Sequence, residues 1–173
     1  MMQVSTKVFI PSANFTRPAD TNAYATGDLI ANNTAAGSVV PLSWIAPRDE
    51  AWRGGYGTFY IPAVRLHRSK SDVTNAQFRV HLFSALPTFT SSGDNGVFAT
   101  VVATGNANWL SSFDVTMVAL HADGAAGIAV STEGAITPVL PASGTVFGLI
   151  EARAAYTPSS GEVFTAELLV EQN

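Results

Sequence analysis

The sequence predicts an all-β fold, in the form of an antiparallel β-sandwich or jelly-roll-like single domain with an extended N-terminal arm or long loop. Three observations lead to this prediction. Apolar and polar residues alternate in short runs, which is the period of a β-strand. No stretch sustains the three-and-four spacing of an amphipathic helix. Clusters of Gly, Ser, Asn and Asp separate the runs at short intervals.

The clearest predicted strand covers residues 77–82, in which Phe78, Val80 and Leu82 fall on one face. A run near the C-terminus repeats this alternation, and its apolar face consists of Phe164, Ala166, Leu168 and Val170. One apolar and one polar face are typical of an antiparallel sheet that is covered on one side. Both segments are therefore predicted as half-buried strands.

Further strands are predicted, in chain order, at 4–10, 28–31, 39–45, 58–67, 96–103, 114–120, 127–130 and 145–152. Pro62 lies inside the predicted strand at 58–67. Because proline cannot donate a hydrogen bond to a ladder, this strand is predicted to be bulged at Pro62 or to lie at a sheet edge.

Residues 12–36 have a different composition, since they are rich in Asn, Thr and Ala and contain only scattered apolar residues. Two interpretations are open. The segment is either an arm that reaches a neighbouring subunit or an ordinary irregular connection. No internal repeat or change of composition marks a boundary, so residues 1–173 are predicted to form one domain.

The composition is apolar and poor in charge. Hydrophobic residues make up 47% and charged residues 13%, whereas soluble domains usually carry about 25% charged residues. This shortage indicates either a surface that partners cover or a neutral surface rich in Ser, Thr and Asn. With a net charge of -4 and scattered Lys and Arg, direct nucleic-acid binding is not expected.

The first residues lack the apolar core of a signal peptide, and no apolar run approaches the roughly 20 residues that span a bilayer. We therefore expect a chain that is made and kept in a cytoplasm until it assembles, without membrane contact.

The sequence offers little catalytic chemistry. The absence of cysteine removes disulfides, thiolate metal sites and cysteine nucleophiles together. His67, His81 and His121 do not have the local spacing of a zinc site, and no serine nucleophile motif occurs. Neither an enzyme, a metal nor a cofactor is expected. His67 and His81 each follow an arginine by two residues, so they are predicted on outward faces of neighbouring strands if those strands form a hairpin.

Several aromatic and charged residues are candidates for contact with another protein. Trp44, Trp52 and Tyr56 lie in a second irregular stretch, and such side chains are enriched both in interface hot spots and in half-buried core positions. The N-terminal segment adds further candidates. The predicted protein-contact residues are Phe15, Arg17, Tyr24, Trp44, Trp52 and Tyr56.

Three stretches carry a resemblance to a known family: FTRPADTNAYATGDLIAN at 15–32, YGTFY at 56–60 ahead of Arg65-Leu66-His67, and FRVHLF at 78–83 followed by Pro87 and GDNG at 93–96. Together they resemble structural proteins of tailed bacteriophages. This resemblance implies a capsid decoration or cement protein with a β-sandwich or jelly-roll fold, commonly a trimer, and it brings no catalytic residues. It covers a minority of the chain.

Two functional hypotheses follow from the sequence. The first is a virion structural protein that binds and stabilises a capsid shell, with the major capsid protein as its partner and a homo-oligomer, preferably a trimer, as its assembly state. The second is a host-recognition module of a tail or head fibre that binds glycans, because Trp44, Trp52, Tyr56 and Trp109 offer faces on which sugars can stack.

Overall fold

A computed structural model of the chain describes residues 7–45, 59–88, 90, 93–101, 105–131 and 144–172. Within these residues the chain forms two antiparallel sheets, which confirms the predicted all-β sandwich. The strands are β1 (Lys7–Phe9), β2 (Ser12–Thr16), β3 (Leu29–Ile30), β4 (Leu42–Ile45), β5 (Phe59–Arg68), β6 (Gln77–Phe83), β7 (Trp109–Thr116), β8 (Val118–His121), β9 (Gly124–Val130), β10 (Thr145–Ala152) and β11 (Val163–Gln172), with a 3-10 turn at Ala36–Ser38.

The first sheet, called sheet A, has the strand order β1-β11-β5-β9-β8. Strand β2 follows β1 along the same side of β11, and the Leu168 amide bridges the gap by donating to the Pro11 carbonyl at 3.1 Å. The second sheet, sheet B, has the order β3-β10-β6-β7, with β4 beside β3 on the same side of β10. The described part of the chain contains no helix long and apolar enough to cross a bilayer.

The inner faces of the two sheets enclose one main core. Phe78 of sheet B meets Phe164 of sheet A edge to face, with ring centroids 5.4 Å apart. Both of these side chains are fully buried, and both lie on the apolar faces predicted from the alternation of the sequence. Burying one such side chain contributes about 1.5–3 kcal/mol, so the apolar faces formed by this alternation stabilise the packing of the two sheets.

One strand pair joins the two sheets at an edge of the sandwich. The chain leaves sheet B at the end of β7 and enters sheet A as β8 after the single residue Met117. Strand β9 passes close beneath this crossing, because a Cβ atom on Gly127 would lie 2.5 Å from the Thr116 carbonyl oxygen. The segment predicted as one strand at 114–120 is therefore two strands that belong to different sheets.

The structure resolves the two alternatives for Pro62. Strand β5 lies between β11 and β9, so the edge position is wrong. The register instead shifts from Ala63 opposite Leu169 to Tyr60 opposite Glu171, which confirms the bulge. The Pro62 carbonyl accepts a hydrogen bond from the Ser131 amide at 3.1 Å, so the strand remains tied to its neighbour despite the missing donor.

The segment 12–36 lies on the body of the sandwich rather than projecting from it. Its first residues form β2, which the sequence analysis did not predict. Further along, Tyr24 and Tyr156 exchange backbone hydrogen bonds of 2.8 and 3.3 Å. Within the folded chain this segment is therefore a long connection rather than a projecting arm, because β2 and Tyr24 pair with other parts of the same chain.

The predicted strand at 96–103 is replaced by irregular pairing over its described residues. Val97 forms an isolated bridge with Asp28. The Val101 amide donates to the Thr88 carbonyl at 2.9 Å, and the Thr90 amide donates to the Ala99 carbonyl at 3.1 Å. Residues 102 and 103 of this prediction, like 4–6 of the first predicted strand, lie outside the described residues.

Candidate protein-binding face

The outer surface of sheet A carries an apolar area, here called the open apolar face, which consists of Val118 and Leu120 of β8 and Ile128 and Val130 of β9. Each of these side chains is 53–69% exposed. Val118 lies opposite Ala126 in the β8–β9 ladder, on the same side of β9 as Ile128 and Val130. Leu120 lies at the shift of register between Ala119 and His121, toward the other end of that ladder. Contiguous apolar area of this kind on a chain surface typically marks an interaction site.

In strand β9 the large apolar residues are on the exposed side and the small residues are on the buried side, which reverses the usual arrangement of a half-buried strand. Its buried side carries Ala125, Gly127 and Ala129, whereas its exposed side carries Ile128 and Val130. Gly127 is required because the end of β7 lies close to it, so that a side chain there would meet the Thr116 backbone. The large apolar residues on the outside have no such requirement, and they bury little area in the isolated chain.

The other half of the outer surface of sheet A is charged but internally neutralised. Arg65 of β5 forms an ion pair with Glu167 of β11, and the His67 Nε2 atom lies 3.4 Å from the same carboxylate. Arg65 is directly opposite Ile128 in the β5–β9 ladder. The open apolar face is thus bordered by a cluster in which the positive charge of Arg65 is neutralised by the carboxylate of Glu167.

The outer surface of sheet B differs because loops of the chain cover it. A second, smaller hydrophobic cluster lies there, and it consists of Leu29, Ala31, Val39, Phe83 and Leu149, with Phe98 and Phe147 packed against it. Strand β10 is consequently buried on both faces, which explains its nearly continuous apolar sequence.

A polar network borders this covered cluster. The His81 Nε2 atom lies 2.9 Å from a Glu151 oxygen, and the His81 ring stacks on Phe98 at a centroid distance of 4.5 Å. Burial of Glu151 opposes its ionisation, but the hydrogen bonds from His81 and Arg153 outweigh that effect and lower its pKa. These groups are already paired with one another, so they stabilise the covered surface.

One end of the sandwich contains a buried arrangement of arginine, tyrosine and carboxylate. Arg17 donates through Nη2 to Asp94 at 2.9 Å and through Nε to the Tyr24 hydroxyl. The Tyr24 hydroxyl donates to Asp94 at 2.6 Å, and the Ala31 amide donates to the same carboxylate at 2.7 Å. Burial raises the pKa of Tyr24, which keeps its hydroxyl proton available as a donor.

A second set of the same residue types lies beside the first. Arg68 donates through Nη1 to Tyr156 at 2.7 Å and to Glu162 at 3.1 Å, while the Tyr156 hydroxyl donates to Glu162. The rings of Tyr24 and Tyr156 stack with centroids 5.9 Å apart. We call the two sets together the tyrosine clasp, and their fully buried charges are paired as interior charges must be.

The structure corrects part of the predicted contact set. Arg17 and Tyr24 are in the buried clasp, and Trp44 is 2% exposed. Trp44 fits into the core because a Cβ atom on Gly148 would lie 2.4 Å from its ring, and its Nε1 atom donates to the Ala166 carbonyl at 3.0 Å. These three residues serve the interior of the chain, so they do not form an exposed contact surface.

The remaining aromatic residues predicted to contact a partner are either partly buried, partly exposed or outside the described residues. Phe15 is partly buried and stacks on Phe164 with centroids 5.7 Å apart, so it belongs mainly to the edge of the core. Trp52 and Tyr56 lie outside the described residues. Trp109, named for glycan stacking, is 37% exposed, and the burial of Trp44 removes one member of that proposed aromatic set.

The predicted hairpin that would bring His67 and His81 together does not exist. His67 is on β5 in sheet A and His81 is on β6 in sheet B, so the two side chains point away from opposite sides of the sandwich. Among the described residues, no group of three or more His, Asp or Glu side chains is arranged to hold a metal ion.

A second apolar surface is a groove of about 430 Å³ between residues 36–41 and 86–88. Val40 and Leu86 are exposed at its rim. Sequence reasoning did not identify this groove or the open apolar face. Periodicity indicates which residues share a side of a strand, but not which side the rest of the chain will cover.

Comparison with known proteins does not assign the chain to a family. No protein-family model matches the chain, and no curated protein matches its sequence. Among solved structures, the chain is similar to the empty capsid of Triatoma virus at 14% identity and a TM-score of 0.20, covering 95% of this chain and 72% of that one. A structure of Triatoma virus matches at 11% identity and a TM-score of 0.19, covering 95% and 63%. Similarities of this size carry no argument about function.

Proposed function

We propose that the chain is a non-enzymatic structural component of a virus particle, a decoration or cement protein that binds the capsid shell through the open apolar face. The observation that carries this proposal is the inverted pattern of β9, whose large apolar residues face outward while small ones face the core. An outward Ile and Val add little to the stability of the isolated chain, whereas a protein partner would bury them.

The electrostatics of the face favour a protein partner. None of the four residues that define it is charged, and the adjacent Arg65 is already paired with Glu167. Nucleic acid and anionic membranes are bound through clustered cations, which this face does not offer. The sequence resemblance to tailed-phage structural proteins supports the same choice, with the major capsid protein as the partner.

The energetics suit a protein that binds in several copies. Fully burying one Val, Leu or Ile side chain contributes about 1.5–3 kcal/mol, and association itself costs at least about 4 kcal/mol. Four partly exposed side chains therefore support modest affinity for a single chain. A homotrimer would bind much more tightly, since the second and third contacts form at high effective concentration.

The proposal is tested by comparing two double variants on particles assembled from the genome that encodes the chain. Ile128→Lys with Val130→Lys places two charges on the open apolar face. Ile45→Lys with Val97→Lys is the matched control, because these residues are 65% and 71% exposed and lie outside both the open apolar face and the groove. We expect at least about a tenfold loss of particle-bound copies for the first pair, corresponding to about 1.4 kcal/mol.

Equal recovery of both variants with purified particles would contradict the proposal, provided that both retain the unfolding midpoint of the unmodified chain. Assembly state is measured separately, by light scattering on the purified protein. A trimer is expected, and a monomer at all accessible concentrations would remove the multivalent part of the proposal.

A further inference from the structure

We infer that β8 accepts an extended segment of the capsid partner as an additional strand of sheet A. This inference rests on the proposed function and specifies how the partner is held. Strand β8 ends the strand order of sheet A, and within the described residues β9 is its only ladder partner. Its second edge therefore presents backbone donors and acceptors that another strand can pair with.

The exposure of β8 supports this inference. All four of its residues are exposed, on both sides of the sheet. Val118 lies on the same side of the sheet as Ile128, so an added strand would lie beside an apolar side chain of the open apolar face, while Leu120 lies at the shift of register. Backbone pairing and apolar cross-strand contacts would then act at the same place.

The edge lacks most of the usual obstacles to strand addition, although it contains one shift of register. Edge strands are commonly protected by Lys, by Pro or by inward-pointing charges, and residues 118–121 contain none of these. One irregularity exists, because the register with β9 shifts between Ala119 and His121. The regular part of the edge is thus short, and the added strand must gain specificity from side chains as well as from its backbone.

The size of the edge argues against a second copy of this chain as the occupant. Two β8 strands paired across a two-fold axis could join no more than four residues on each side, and the shift of register between Ala119 and His121 would interrupt the ladder on both strands. A longer extended segment of a different protein satisfies the edge and continues beyond it. Its side chains next to Val118 and Leu120 would be apolar and uncharged.

Amide hydrogen exchange on the free and particle-bound protein tests the inference. We expect exchange in the segment 118–121 to slow by about tenfold or more on binding, because amides on the free edge become hydrogen bonded. Residues 77–83 of β6, in the interior of sheet B, serve as the internal control and should not change.

The outcomes separate the inference from the function on which it rests. If the chain binds particles but residues 118–121 exchange as fast as in the free protein, strand addition is overturned and face binding stands. If the chain does not bind particles at all, the proposed function fails first.

A variant gives a second measurement. Ala119→Lys adds a charge to the edge without altering the four residues of the open apolar face, and Ala155→Lys is a control at another exposed alanine. We expect a severalfold loss of binding for the first variant only, and equal binding by both variants would count against strand addition.

Discussion

The two outer surfaces of the sandwich show how one chain uses apolar residues for two purposes. On sheet B, Phe83 and Leu149 point outward from the strands but are 2–3% exposed, because the chain folds its own loops over them. On sheet A, Ile128 and Val130 also point outward, yet each remains 69% exposed. The covered surface contributes to folding, and the open one is available for association. Apolar character alone does not distinguish these two roles.

The largest expected effect is the difference in stability between matched truncations of the two surfaces. Phe83→Ala removes a side chain from the covered cluster and should lower the free energy of unfolding by about 3–5 kcal/mol. Ile128→Ala on the open apolar face should change it by less than about 0.5 kcal/mol. Urea unfolding of both variants measures the difference, and similar losses would mean that the open face is also buried in the isolated chain.

The next effect tests why β9 points its large residues outward. Gly127→Ala would bring a Cβ atom to 2.5 Å from the Thr116 carbonyl oxygen, so the crossing of β7 over β9 must shift. We expect a loss of about 1–3 kcal/mol, which is typical of overpacking. Gly37→Ala is the control, since a Cβ atom there has no neighbour within 4 Å. Thermal unfolding that is unchanged in Gly127→Ala would refute the close approach.

A smaller effect concerns the polar network of the covered surface at acidic pH. Hydrogen bonds from Arg79 at 2.6 and 2.7 Å lower the pKa of Asp114, and the pKa of Glu151 is lowered as described above. A depressed pKa in the folded state stabilises the fold above the ordinary carboxyl pKa of about 4, and that contribution is lost as the pH falls through the folded value.

Stability should therefore decrease on acidification below about pH 4, and Glu151→Gln should reduce the steepness of that decrease. Urea unfolding at a series of pH values measures it. Repeating the series in about 1 M salt should weaken the contribution of the exposed Asp114 pair more than that of Glu151. A Glu151→Gln variant with an unaltered pH profile would contradict the assignment.

The smallest expected effect on stability comes from making the open apolar face polar. Ile128→Thr with Val130→Thr keeps β-branched side chains on β9, so stability should change by no more than about 0.5 kcal/mol. Binding of a hydrophobic dye and self-association should both decrease. If the dye signal persists unchanged, the dye binds elsewhere, and the groove near Val40 is the first place to look.

The sequence predicts where the strands lie along the chain better than it predicts which sheet each strand joins. The strand at 145–152 has the predicted bounds, and the strand at 77–82 is one residue longer in the structure. The split between β7 and β8 was missed, because continuous alternation does not reveal a change of sheet. β2 was missed although Ala13 and Phe15 alternate with polar residues there, since the composition of the segment resembles that of a loop.

The candidate site was predicted less well, for a physical reason. Trp44 is predicted as a contact because tryptophan is enriched at interfaces, and Tyr24 because it lies in the N-terminal segment, but large aromatic side chains suit the core equally well. The clasp could not be inferred because its partners are distant in sequence: Arg17 and Asp94 are 77 positions apart, and Arg68 and Glu162 are 94 positions apart. Likewise, only the tertiary structure shows which side of β9 is covered.

The position of β11 has a consequence for how the chain is built during synthesis. This strand comes last along the described chain, yet it lies inside sheet A, paired with β5 on one side and with β1 and β2 on the other. Sheet A therefore lacks β11, which connects β1 and β2 to β5, until residues 163–172 leave the ribosome. In a nascent chain stopped before these residues, β1 and β2 would have no strand to pair with, and the edge of β5 that β11 normally covers would be open to aggregation.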